Sequence, residues 1–448
     1  MDSGRLRFCL SISLVVAAAA ASAATEPGPR TGAAAFGGWR DDAPGVGRRF
    51  VAADLKPVDT GPTAVKRARV ATRPEGAMPK APDDVSVALF ASGFRGARRL
   101  VLAPNGDLFM AESGGGRVLV FRADAKGRPD GAHPIEFASS LQQPYGLLFY
   151  PPGDEPKYLY VGESGRVLRF AYANGDTEAR GKPETIVPKV PANHHWTRDL
   201  ALHPDGKRIL LAVGSGSNVA EGMARKAPGE IRAIEQRDGT GAAWGDEARR
   251  AAIWSFDADG GNVAVYANGL RNCTGLAVHP ATHAVWCVVN ERDGLGDDVP
   301  FEYATTVKQG AFYGWPWYYI GANEDPRHKG ERPDLRDKVT VPDVLLQPHS
   351  APLGIAFYRD GALPARYRAN AFVTYHGSWN RANRTGYKVV RLPMPDGKPT
   401  GEAIDFLTGF VIDDEAVWGR PVGVVVAKDG SLIVSEDGSN TLWRVTAK

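Results

Sequence analysis

One hairpin signature, repeated six times, restricts what this chain can fold into more than any other feature. Its first copy is Arg99-Leu100-Val101-Leu102-Ala103-Pro104-Asn105-Gly106-Asp107-Leu108-Phe109-Met110-Ala111: an apolar strand, a Pro/Asn/Gly turn and a second strand. It returns at 146–150 with 158–161, at 200–206 with 209–213, and again from Gly275, Gly354 and Gly423. A third strand with an Arg-rich edge often follows, as at 117–122. Strand–turn–strand units recurring every roughly 45–80 residues predict an all-β fold, a six-bladed β-propeller with insertions between some blades. The last copy, 422–445, shows three evident strands, and residues 85–90 are expected to supply the fourth. That closure would leave no free sheet edge. A β-sandwich also alternates strands and turns, but it does not call for one signature six times.

Residues 1–23 read as a secretory signal. Arg5 and Arg7 give a positive start, 8–20 an apolar run, and Ala21-Ser22-Ala23 a small-residue cleavage site. Residues 24–80, rich in Ala, Gly, Pro and Arg without periodicity, read as a poorly ordered leader laid on the surface of an 81–448 catalytic domain. The formal charge of +3 gives no electrostatic argument for nucleic acid or an anionic membrane surface, and no second apolar run approaches spanning length. An oxidising compartment allows a bridge between Cys273 and Cys287; two buried thiols are the alternative. There is no Cys-x-x-Cys-His, so the chain carries no c-type haem of its own.

In a propeller, loops at one mouth of the central channel gather polar residues from several blades. His194, His195, Arg271, Asn272, His349 and Arg420 stand beside inner strands and are expected to converge there. A neutral histidine can take a proton from a substrate hydroxyl, or can simply be a hydrogen-bonded loop residue. Arg271 and Asn272 can polarise a carbonyl or bind a carboxylate, or satisfy turn carbonyls. The segment Asn290-Glu291-Arg292-Asp293-Gly294-Leu295-Gly296-Asp297-Asp298 has the oxygen-rich, Gly-containing character of a Ca²⁺ loop without EF-hand spacing; a solvated acidic turn competes. The 376–384 loop offers Trp379, Arg381 and Arg384 to a planar anionic ligand.

Together, Gly269-Leu270-Arg271-Asn272, the 290–298 loop, Phe312-Tyr313-Gly314-Trp315-Pro316 and His376-Gly377-Ser378-Trp379-Asn380-Arg381 resemble the soluble quinoprotein family of glucose and sorbosone dehydrogenases. They look closest to the L-sorbosone dehydrogenase-like branch. The resemblance runs over roughly residues 50–448 and implies a six-bladed propeller using pyrroloquinoline quinone (PQQ) and Ca²⁺. It makes His195 the general base and Arg271 the group stabilising the developing oxyanion, with Asn272 beside the quinone. It further implies Asp293 and Gly294 as backbone-carbonyl Ca²⁺ ligands and Arg420 as a carboxylate-binding arginine. Gln143 falls on a substrate-side glutamine, and His194 takes the place of a substrate-side acidic residue that orients the base. His349 replaces a threonine near the quinone, Val422 replaces a second arginine, and Arg381 or Arg384 stands in for a cofactor lysine.

The expected activity is that of a periplasmic or secreted PQQ- and Ca²⁺-dependent dehydrogenase. It would oxidise a sugar-type alcohol, hemiacetal or aldehyde by hydride transfer to the quinone and pass electrons to an external acceptor. The rival readings are a metal-dependent, lactonase-like propeller hydrolase and a non-catalytic binding propeller.

Overall fold

The repeated signature has a steric reason that appears at the channel axis. A Cβ on Gly275 would lie 2.4 Å from the Leu353 carbonyl oxygen, and one on Gly423 2.4 Å from that of Arg98. Each glycine lets the inner strand of a neighbouring blade approach closely. The computed structural model describes residues 1, 28–59, 61–359 and 361–448. The signal expected over 1–23 lies, Met1 apart, outside the described residues.

Six antiparallel sheets surround the channel, with inner strands Ala97–Leu102, Leu147–Tyr150, Leu200–Leu202, Cys273–Val278, Pro352–Tyr358 and Pro421–Val426 in blades 1 to 6. Each inner strand adjoins the next around the ring, and the sixth adjoins the first. The ring closes as the sequence led us to expect: Val85–Ser92 pairs with Thr441–Ala447 as the outer strand of blade 6. Apolar faces pack between blades. Between blades 1 and 2, for example, Phe109, Phe137, Phe149 and Tyr172 meet with ring centroids 4.8–5.9 Å apart.

Two insertions pack against each other. Residues 214–251 of blade 3, with the helix Pro228–Asp238, meet residues 307–343 of blade 4 through Trp244, Phe312, Trp317, Tyr318 and Leu335. The leader, expected to lie poorly ordered on the surface, is fastened to it by specific contacts along residues 30–80. Gly47–Arg49 adds a fifth strand to blade 5, and Arg69–Val70 pairs in parallel with Ala416–Val417. Arg48 is buried between Asp42 (2.8 Å) and Asp405 (3.0 Å), and Lys388 lies 2.7 Å from both carboxylates. Charges and short strand pairings need no hydrophobic periodicity, which is why the leader shows none. Cys273 and Cys287 form a disulfide within blade 4, with Cα atoms 5.9 Å apart. A bulge after Cys273 sets them diagonally, so that Cys273 faces Val289 and Cys287 faces Leu276.

Candidate active site at the channel mouth

Residues 193–199 lead into the inner strand of blade 3, and two arginines hold this turn by its carbonyls. Arg198 donates to the carbonyls of His195 (2.8 Å) and Thr197 (2.6 Å); Arg250 donates to those of Asn193 (2.6 Å) and Ser215 (2.8 Å). The turn presents His195 with Nδ1 2.9 Å from Ser215 Oγ and 3.0 Å from the Ser215 carbonyl. Ser215 Oγ gives its own proton to the Ser217 carbonyl, 2.7 Å away. Nδ1 must therefore be the donor, and Nε2 keeps its lone pair. Burial, then Arg271 and His194, push the His195 pKa well below the usual histidine value, so the ring is neutral at neutral pH.

Asn272 meets His195 across Gly214, where a Cβ would lie 2.4 Å from Asn272 Oδ1 and 2.6 Å from His195 Cβ. Arg271 is 3% exposed and almost fully engaged. Its Nε donates to the Asn218 carbonyl (2.9 Å), Nη1 to the carbonyls of Asn290 (3.2 Å) and Glu291 (2.6 Å), and Nη2 to Asn218 Oδ1 (3.0 Å). Asp293 lies between Arg271 Nη2 (3.7 Å) and His349 Nδ1 (3.5 Å), while His349 Nε2 donates to the Gly296 carbonyl at 3.0 Å. Burial raises the Asp293 pKa, but the His349 hydrogen bond and the Arg271 charge outweigh it, and the net shift is downward.

A second cluster adjoins the first through Trp196. Arg98 lies over the Trp196 ring, 5.1 Å from its centroid, and its Nη2 is 2.5 Å from Asp437 Oδ2. Asp437 Oδ1 accepts from His376 Nε2 at 2.8 Å, and His376 Nδ1 accepts from Arg420 Nη2 at 3.0 Å. Burial and Arg420 lower the His376 pKa to about 4, so this histidine is also neutral.

The structure thus brings His194, His195, Arg271, Asn272, Asp293 and His349 together, with Arg420 in the adjoining cluster. His194 is exposed at φ +62°, its ring centroid 4.2 Å from that of His195. Gln143 is exposed at φ +49°, two residues before the buried Tyr145. Arg381 and Arg384 give most of their guanidinium donors to the protein itself, Arg384 Nε being left without a partner among the described residues. Arg381 binds the carbonyls of Phe36 (2.7 Å), Asp297 (3.0 Å) and Asn383 (3.0 Å) and the Asp298 carboxylate (2.7 Å). Arg384 donates to Tyr387 Oη (3.1 Å) and the Asp414 carbonyl (2.6 Å). Sequence reasoning missed Arg98, Trp196, Ser215, Asn218 and Asp437. Arg98 had a signal: aligning Leu100 to Pro104 with Leu276 to Pro280 puts it in the repeat register of Thr274 and Val422.

Fold and site together define a six-bladed propeller whose mouth gathers a neutral histidine, an arginine–asparagine pair and further arginines. The chain belongs to the family described as TrAA12-like, whose model matches residues 79–309 and 323–448. The pyrroloquinoline quinone-dependent pyranose dehydrogenase of Coprinopsis cinerea is 34% identical over 414 residues, covering 79% of this chain and 54% of that protein. The chain thus spans about half the length of that relative. The holo form of the pyranose dehydrogenase PQQ domain from Coprinopsis cinerea is similar at a TM-score of 0.65 and 21% identity, over 83% of this chain and 97% of that one. The calcium structure of a Trichoderma reesei carbohydrate-active enzyme of family AA12 gives 0.66 and 20%, over 83% and 97%. At these identities the two structures show a shared fold.

The residues present fit a planar polycarboxylate such as PQQ. Arg420 Nε is a buried donor without a hydrogen-bond partner among the described residues. The Arg98–Asp437–His376–Arg420 chain also sets two cations against one anion. The fit to Ca²⁺ through the Asp293 carbonyl is poor. That oxygen already accepts from Arg292 Nε (2.9 Å) and Asn218 Nδ2 (3.0 Å), and the guanidinium beside it repels a dication. Gly294, at φ +85°, donates its N–H to Asn380 Oδ1 at 3.0 Å.

Proposed function

We propose that this protein is a PQQ-dependent dehydrogenase of sugar-type substrates, oxidising an alcohol, hemiacetal or aldehyde, sorbosone-like aldehydes included. The observation that carries this reading is His195, neutral and with Nε2 bare, beside Arg271 and Asn272 at the channel mouth. Bound PQQ supplies the hydride acceptor that no side chain offers.

The chain's own residues supply the rest. His195 Nε2 takes the proton of the substrate hydroxyl, and Ser215 holds the ring in the tautomer that allows it. Arg271, fixed by Asn218 and the 290–291 carbonyls, keeps a positive charge beside the base without reorganising during the reaction. Asn272 offers a buried acceptor next to it. His194 and Gln143 are the exposed polar groups that meet substrate hydroxyls at the entrance. Arg420 and His349 belong to the cofactor side.

Export follows the same reading: a periplasmic or secreted enzyme passing electrons to an external acceptor. The Cys273–Cys287 disulfide supports an oxidising compartment. Ca²⁺ enters on the family resemblance alone, and no step here depends on it. The test is reconstitution of purified apo-protein with PQQ, with and without Ca²⁺, followed by dye reduction with aldoses, sorbosone-like aldehydes and polyols. Saturable uptake with substrate-dependent dye reduction is expected; no uptake under either condition would overturn the reading.

A further inference from the structure

Aligned on their prolines and glycines, the six hairpin copies put Arg98, Tyr145, Arg198, Thr274, Leu353 and Val422 at one repeat position. That position faces the channel: Tyr145, Leu353 and Val422 meet there as one apolar cluster, with Trp196 packed against it. Blades 1 and 3 place an arginine at this position; Arg198 gives its guanidinium to the carbonyls of Pro191, His195 and Thr197, and Arg98 does not share them. A guanidinium at the edge of an apolar plug is costly unless anions surround it. That of Arg98 has the Trp196 face, 5.1 Å from the ring centroid, and one oxygen of Asp437 at 2.5 Å. The other Asp437 oxygen is taken by His376, which in turn holds Arg420.

The Arg98 side chain keeps 15% of its surface exposed and that of Asp437 11%, so the pair reaches the channel. One carboxylate serves two guanidinium groups through a neutral histidine. The arrangement fixes both cations and leaves a net positive charge, with Arg420 Nε still lacking an acceptor.

We infer that Arg98 is a ligand-binding residue which, with Arg420, clamps a carboxylate of the bound cofactor at the channel mouth. The inference rests on the quinone reading and extends it to a residue of blade 1. Asp437 and His376 are positioning residues that set the two guanidinium groups. Trp196 holds Arg98 in place by its ring face, next to the base at His195.

The experiment is calorimetric titration of the whole apo-protein with PQQ and, separately, with its trimethyl ester, which keeps the ring system and loses the carboxylate charges. The unaltered protein should bind PQQ far more tightly than the ester. Arg98→Gln should weaken PQQ binding by about thirtyfold, the range of a charge-assisted contact, and leave ester binding nearly unchanged. Arg98→Lys, which keeps the charge, should restore part of the preference and covers the case in which the glutamine variant does not fold. Equal weakening of both ligands, or unchanged PQQ binding in folded variants, would overturn the assignment while leaving the quinone reading intact. Failure of the unaltered protein to bind PQQ would remove both.

Discussion

Ser215 Oγ lies 2.9 Å from His195 Nδ1 and gives its own proton to the Ser217 carbonyl, so this hydroxyl, with the Ser215 carbonyl, decides which nitrogen of the imidazole stays bare. His195→Ala is therefore expected to lower turnover about 10²–10⁴-fold while PQQ uptake persists. Ser215→Ala should cost less, because the Ser215 carbonyl still accepts from Nδ1 at 3.0 Å. Parallel measurement of turnover and cofactor binding checks both; a fully active, folded His195→Ala would remove the base.

The depressed histidines set a stability window. His376 titrates near 4 when folded, against roughly 6.5 in an unfolded chain. Between those values the unfolded chain binds a proton that the folded one refuses. This contribution is complete above about pH 6.5 and is lost as the pH falls toward 4. Melting curves should show the melting temperature dropping over that range, less steeply in His376→Gln. Identical slopes in the two proteins would argue against it.

Arg292 bridges the expected cation loop to a buried partner, with Nη1 2.9 Å from both oxygens of Asp325. Arg271, Arg292 and Arg381 donate to the carbonyls of Asn290, Glu291, Asp293 and Asp297. Chelation by EDTA should consequently leave the melting temperature unchanged. Arg292→Gln, which strands Asp325, should cost about 3–5 kcal/mol by urea denaturation. A large loss of stability on chelation would return the loop to a divalent ion.

The disulfide closes a short segment, Cys273 and Cys287 being 14 residues apart. Cross-links of that span stabilise by about 3 kcal/mol, chiefly by restricting the unfolded chain. The double Cys→Ser variant should keep its fold by circular dichroism and lose stability of that order. An unfolded variant would mean that the bond also shapes the native hairpin.

The blades were legible because one steric demand, a glycine where neighbouring inner strands meet, recurs in blades 2, 4, 5 and 6 beside a turn of Pro, Asp, Asn or Gly. The insertions were not, because 214–251 and 307–343 bury their tryptophans against each other rather than against sequence neighbours. Convergence of His194, His195, Arg271, Asn272 and His349 followed from architecture. Arg381 and Arg384 were legible only as cationic density, which does not tell how many of their donors backbone carbonyls will use. Arg98 was overlooked because it precedes the apolar run that begins at Leu100, where its repeat register, not its local context, marks the channel.

The strand that completes blade 6 joins residues 85–92 to 441–447. A chain threaded outward from its N-terminus must hold the first of these unpaired until almost everything else has crossed. Phe36 and Asp59, on the early segments, likewise wait for Arg381 and Leu295 to arrive. The seam is then closed last, by strands far apart along the chain, so a chain lacking its final strand would leave the ring with an open, unpaired edge.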